Sequence, residues 1–168
     1  TVGAWTSPVV RPGFALTQLV PSWVATTPGG GWISVQVRGT HTGWDTISTW
    51  AIGDAHVHRT SHGVQPDGGA RVDYDTWLVP AGTPTWQLRV TLHRTATTAA
   101  SPTVDTLGAM SSRLPTTLPA TSTPLGVAAG LTLRVPRYSQ EIHKGEYPRY
   151  DGGGEAWCSP TSTSMVLG

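Results

Sequence analysis

Apolar and polar positions over the first two-thirds of the chain alternate with a period of two, the period of a strand with one buried face. The clearest run is Thr85 to His93, where Trp86, Leu88, Val90 and Leu92 share one face and Thr85, Gln87, Arg89, Thr91 and His93 share the other. Trp32 to Arg38 repeats this with Ile33, Val35 and Val37 on one side. Trp44 to Ile52 places Trp44, Trp50 and Ile52 together, and Val72, Tyr74, Thr76 and Leu78 make a further alternating run. Phe14 to Val20 and Val104 to Met110 each predict one more strand. The breaks are turn sequences: Pro28-Gly29-Gly30-Gly31, Pro66-Asp67-Gly68-Gly69 and Pro80-Ala81-Gly82. Proline presets the first turn position and glycine supplies positive φ. Five or more strands separated by such turns predict a mainly β fold, an antiparallel β-sandwich or jelly roll over residues 1–110.

The pattern dissolves after Thr95. Leu114 to Pro124 carries Pro115, Pro119 and Pro124 among threonines and serines. Each proline pushes its predecessor out of the α region, so residues 111–134 read as an extended linker. Leu131-Thr132-Leu133-Arg134-Val135-Pro136 alternates again and leads into a last segment, residues 135–168.

Composition supports strands and turns over helices. Only 12% of the 168 residues are charged, against about 25% for an average domain, while glycine (20) and proline (14) are abundant. A net charge of +1 gives no electrostatic footprint for nucleic acid or an anionic membrane. No apolar run approaches the roughly 20 residues of a membrane span. The single cysteine excludes an internal disulfide. The chain begins at Thr1 rather than Met, which predicts a trimmed start with any signal peptide upstream, and the Thr/Ser/Gly-rich, weakly charged surface points to a secreted protein.

The chemistry lies at the end. The run Gly-Glu-Ala-Trp157-Cys158-Ser159-Pro160 is followed by Thr-Ser-Thr-Ser-Met165-Val166-Leu167. A thiol nucleophile is served by the N-terminal edge of a helix, where unpaired N–H groups and the helix dipole favour negative charge. Ser159 is an N-cap type and Pro160 suits the first helical position. Met165, Val166 and Leu167 are expected to bury one side of that helix, and the glycines at 152–154 to turn the chain tightly before the thiol. The oxyanion of a tetrahedral intermediate needs donors. The Cys158 N–H is one, and the Gln140 side-chain amide, eighteen residues upstream (158 − 140), is the natural second.

Val135-Pro136-Arg137-Tyr138-Ser139-Gln140, followed by Trp157-Cys158-Ser159-Pro160, resembles the start of the bacteriocin-processing (double-glycine leader) peptidase family and its papain-like relatives. The whole chain resembles secreted actinobacterial members with an N-terminal β-rich domain. The resemblance implies that Cys158 is the nucleophile and Gln140 part of the oxyanion hole, that a downstream His is the base oriented by an Asp or Asn, and that no metal or organic cofactor is needed. It covers about a fifth of the chain, and the family's usual Cys-Gly-Pro is Cys-Ser-Pro here. The histidines, His41, His56, His58, His62, His93 and His143, all precede Cys158, so none fits the base by order. The chain is therefore expected to be cut after the nucleophile helix and inactive as it stands. An inert buried thiol and an ordinary polar strand-end residue are the competing readings of Cys158 and Gln140.

Other groups invite weaker readings. His56 and His58, with Asp54, would share a strand face as some metal sites require, but no third ligand is evident and solvated histidines are favoured. Asp73 and Asp75 would share a face, as in glycosidase or calcium sites, against the preferred reading of a polar outer face. The eight tryptophans fill a core or stack on sugar; core is favoured, with Trp5, Trp23 and Trp44 the likeliest exceptions. His143, Lys144, Tyr147 and Tyr150 either border a substrate groove or form a solvated loop. The expected function is the N-terminal part of a secreted cysteine peptidase. It would act on a peptide or protein, together with a C-terminal remainder of its catalytic domain. The alternatives are a glycan- or protein-binding β-module and a scaffold or autoinhibitory domain.

Overall fold

The period-two runs become antiparallel strands in a computed structural model, which describes residues 3–53, 55–65, 69–117, 120–123, 126, 130, 132, 134–150 and 153–167. The strands are β1 (Gly3–Thr6), β2 (Leu16–Thr26), β3 (Trp32–Gly39), β4 (Asp45–Trp50), β5 (Thr60–Ser61), β6 (Arg71–Asp73), β7 (Thr76–Thr83), β8 (Trp86–His93) and β9 (Thr103–Ser112). Helix α1 (Cys158–Leu167) follows, preceded by short 3-10 turns at Gln140–His143 and Gly154–Ala156. The chain divides into two compact units, Thr1–Leu118 and Pro119–Gly168.

The first unit is a β-sandwich of a five-stranded sheet, β1-β8-β3-β4-β5, and a four-stranded sheet, β6-β7-β2-β9. Strands β3 and β8 lie side by side from Trp32↔His93 to Gly39↔Trp86, which puts Val35 beside Val90 and Val37 beside Leu88 on the inner face. The two sheets share one buried cluster of Leu16, Leu19, Val72, Trp77 and Val79 from one side and Val37, Ile47, Trp86 and Leu88 from the other. A second, of Ile33, Val35 and Val90, takes in Trp23, Trp50, Leu92, Val104 and Leu107 at its margin. Burying apolar area at roughly 25 cal/mol per Å² is the main force holding such sheets face to face.

Three strands depart from the simple alternation. In β4 a bulge opposite Val35/Gln36 resets the phase. Asp45 and Ile47 point inward, Trp50 packs against Trp23 with ring centroids 6.4 Å apart, and Ile52 is 66% exposed. Trp44 therefore does not share the face of Trp50. It lies beneath the guanidinium groups of Arg38 (4.6 Å) and Arg89 (3.9 Å).

The run Val72 to Leu78 is a hairpin, not one strand. Asp73 pairs with Thr76 across Tyr74 and Asp75, both at positive φ (44° and 60°), the conformation of a type I′ turn. Trp77 rather than Leu78 enters the core, and Asp73 and Asp75 do not share a strand face. Strand β2 starts at Leu16, leaving Phe14 outside, and runs through Pro21 to Thr26. Its pairing with β7 ends at Leu19, so Pro21 lies where β9 is its only described neighbour, a position that tolerates a missing N–H.

Strand β9 is longer than expected and reaches two residues past position 110, to Ser112. Among the tryptophans, Trp77 and Trp86 are buried, Trp23 and Trp50 pack at the core margin, Trp5 is 55% exposed as one of the expected exceptions, and Trp32 departs from the core by stacking on His93 at the sheet surface. His56 lies in a bend and His58 in irregular chain just after it, neither in a strand, and the third member of that grouping, Asp54, lies outside the described residues. So do Pro66-Asp67-Gly68 of one expected turn, and Leu131 and Leu133 of the expected late strand, whose described residues Thr132 and Arg134–Pro136 carry no strand.

Candidate functional site

The second unit holds Gln140 and Cys158. The segment between them is folded on itself rather than extended. Ser139 caps the turn Gln140–His143, its side chain accepting from the Glu141 N–H. Main-chain bonds then run from Glu146 to His143 (2.9 Å), Tyr150 to Tyr147 (2.9 Å), Gly153 to Tyr150 (3.0 Å) and Gly154 to Glu146 (3.3 Å). This close return explains two of the glycines before the thiol. A Cβ on Gly153 would stand 2.4 Å from the Glu146 carbonyl oxygen, and one on Gly154 would stand 2.3 Å from that of His143. Gly153 also needs φ +81°, open to glycine at little cost. Gly152 lies outside the described residues.

An aromatic cluster closes the loop over the residue before the thiol. Tyr147 and Trp157 stack at 5.8 Å and 19°, and the His143 ring meets both at 5.8 Å. His143 Nδ1 lies 2.9 Å from Glu146 Oε2, and Trp157 Nε1 donates to the Tyr150 carbonyl (3.1 Å). His143, Tyr147 and Tyr150 thus build the approach to Cys158, whereas Lys144 stands off from this cluster and pairs loosely with Glu141 (4.0 Å). Sequence reasoning gives Trp157 no role of its own. The signal for it is the spacing of aromatic residues around a Gly-rich return.

Cys158 opens α1 and is exposed. The Thr161 N–H donates to the Trp157 carbonyl (3.1 Å), which makes Trp157 the N-cap and Cys158 the first helical residue. Ser159 is therefore not the cap, and Pro160 occupies the third position rather than the first. Its missing N–H still costs nothing, because the first four N–H groups of a helix have no intrahelical partner. The expectation that α1 buries one side does not hold among the described residues: Val166 and Leu167 are 80% and 82% exposed.

Gln140 is tied to the same region. Its Nε2 donates to the Glu155 carbonyl at 2.8 Å, three residues (158 − 155) ahead of the thiol. An amide nitrogen carries two hydrogens, so one remains for another acceptor. Gln140 Oε1 is enclosed, with no hydrogen-bond partner among the described residues. No hydrogen bond joins Gln140 to Cys158 among those residues.

In the first unit, β9 carries one extra residue against β2: Val24 pairs with Thr106 and Ala25 with Val104, leaving Asp105 as a bulge. Asp105 lines a cavity of about 500 Å³ with Trp5, Val90, Leu92, Val104 and Leu107. The alternation of Val104 to Met110 gives no hint of this carboxylate, because a bulge is a property of the paired strands. Among the described residues no group of three or more His, Cys, Asp or Glu side chains is placed to hold a metal ion. No helix among them is long and apolar enough to cross a membrane.

Comparison with known proteins adds one match and two blanks. A family model described as the Peptidase C39 N-terminal domain matches residues 1–112, the span that ends with the last residue of β9. Neither the curated proteins nor the solved structures yield a match. Two-thirds of the chain, the whole of the β-sandwich, is covered by that family model, and the chain belongs to the Peptidase C39 N-terminal domain family.

Proposed function

We propose that this chain is the N-terminal β-domain of a secreted C39-type thiol peptidase, followed by the first elements of its papain-like catalytic domain, with Cys158 as nucleophile and Gln140 as an oxyanion donor. One observation carries the reading: the Gln140 amide is held on the Glu155 carbonyl, beside an exposed cysteine at the first position of a helix. In this reaction a base takes the Cys158 proton as Sγ attacks the scissile carbonyl. The oxyanion is met by the Cys158 N–H and the free Gln140 hydrogen. Collapse expels the amine, which receives the proton, and leaves a thioester that water hydrolyses. Every histidine of this sequence precedes Cys158, so the 168-residue polypeptide by itself has no base in the family's order and gives no turnover.

The test uses a polypeptide that joins this chain to a downstream histidine-bearing segment, assayed on a blocked peptide ending in Gly-Gly-amide. Cys158→Ser abolishes hydrolysis, and Gln140→Ala lowers kcat by about 10²–10³. Hydrolysis that survives in Cys158→Ser overturns the assignment. The 168-residue chain is the matched control and shows no turnover.

A further inference from the structure

The two sheets end on the same flank of the sandwich, and among the described residues no further strand pairs with either end. Strand β1 is the last strand of one sheet and β9 the last of the other. Trp5 pairs with Val90 and Gly3 with Leu92. Directly paired residues share a face, so Gly3 and Trp5 point between the sheets with the buried Val90. At Gly3 that leaves a gap, because a Cβ there would meet nothing within 4 Å. The result is the cavity of about 500 Å³, within the range of ligand pockets. Its walls are Val90, Leu92, Val104 and Leu107, its lip the half-exposed Trp5.

One charged group reaches this apolar space. The bulge in β9 inserts Asp105 between Val104 and Thr106, and such bulges re-aim a side chain at a sheet edge. Asp105 and Trp5 are both among the residues that line the cavity. A carboxylate beside an indole selects a cation, by charge and by the ring's π-face. The described residues of its lining include no second polar side chain, which disfavours a sugar, whose hydroxyls each need a partner. Among the described residues both flanking strands are paired along one edge, and β9 has neither proline nor lysine along its ten residues to block the other. An open edge next to a side-chain pocket suits an extended peptide.

We infer that the gap between β1 and β9 is a binding pocket for an extended peptide that inserts an apolar group next to one cationic side chain. This goes beyond the assignment of Cys158 and does not depend on it.

The experiment is titration of the isotope-labelled 168-residue chain, followed by NMR. The probes are a blocked hexapeptide of alternating leucine and threonine with one central lysine, its twin with norleucine for lysine, n-hexylamine and chitotriose. The lysine peptide is expected to shift the amides of Gly3–Trp5 and Val104–Leu107. Asp105→Asn weakens the lysine peptide by about two- to fivefold and leaves the norleucine twin unchanged. Gly3→Val fills the gap and weakens both peptides. Asp105 is exposed, so its variant keeps the fold and the test stands even if Gly3→Val does not fold. Lysine-peptide affinity unchanged in Asp105→Asn overturns the proposal, as do shifts confined to other regions. Tighter binding of hexylamine or chitotriose than of the lysine peptide at these residues overturns the peptide as occupant.

Discussion

The side-chain amide of Gln140 donates to the main-chain carbonyl of Glu155 at 2.8 Å, three residues before Cys158. A single such bond contributes about 0.5–1.5 kcal/mol net. Gln140→Ala should therefore lower the hydrogen-exchange protection of the Trp157 amide, which donates to Gly154 within the same turn, by about three- to tenfold. Gln140→Glu should lower it further, because two acceptors then face one another. Protection unchanged in both variants would show that the bond does not hold the turn.

Glycines in the return loop separate two kinds of strain. Gly145 has φ +77°, and a Cβ there would meet nothing within 4 Å, so Gly145→Ala should cost only the left-handed backbone penalty of about 1–2 kcal/mol. Gly153→Ala adds a Cβ 2.4 Å from the Glu146 carbonyl oxygen and should open the loop. The Trp157 indole resonance is expected to move to its unstructured position in Gly153→Ala and to shift only partly in Gly145→Ala. The β-domain should melt at an unchanged temperature in both. Equal effects of the two substitutions would refute the steric account.

In the sandwich core, Trp77 Nε1 donates to Asp45 Oδ2 at 2.7 Å, and both side chains are fully buried. Trp77→Phe keeps most of the ring volume but removes a donor from the buried Asp45 side chain. A buried acceptor that loses a donor costs about 1–3 kcal/mol, so urea unfolding should show a loss of that order. Asp45→Asn placed in the Trp77→Phe background should cost less than Asp45→Asn alone, and simple additivity would show that the two side chains are uncoupled.

His93 stacks on Trp32 with centroids 5.0 Å apart and lies 3.2 Å from Ser34 Oγ. Its pKa is lowered from 6.5, chiefly because burial disfavours the charged ring. The unfolded chain therefore takes up a proton at His93 before the folded one as the pH falls. Stability is expected to decline as pH drops through 6.5 and to level off below the folded value. His93→Gln should remove that part of the slope in melting temperatures measured at successive pH values. An identical slope in the variant would assign the pH dependence to other groups.

The inner faces of β3 and β8 are legible from the sequence because these two strands run in register against each other for their full length. The spacing of Gln140 and Cys158 is legible too, since a helix start and its preceding glycines are local features. What the sequence does not reveal sits where two strands disagree in length by one residue. The bulge in β4 turns Trp44 outward, and the bulge in β9 puts Asp105 in the lining of the cavity beside Trp5. The hairpin at Tyr74 and Asp75 is hidden for a related reason, because its positive φ angles fall on residues other than glycine. Local order and periodicity thus determined most of the strands of the β-sandwich and the position of the thiol at a helix start. Which face a residue takes after a one-residue shift was decided only by pairing across the sheets, because that shift inverts every later side chain.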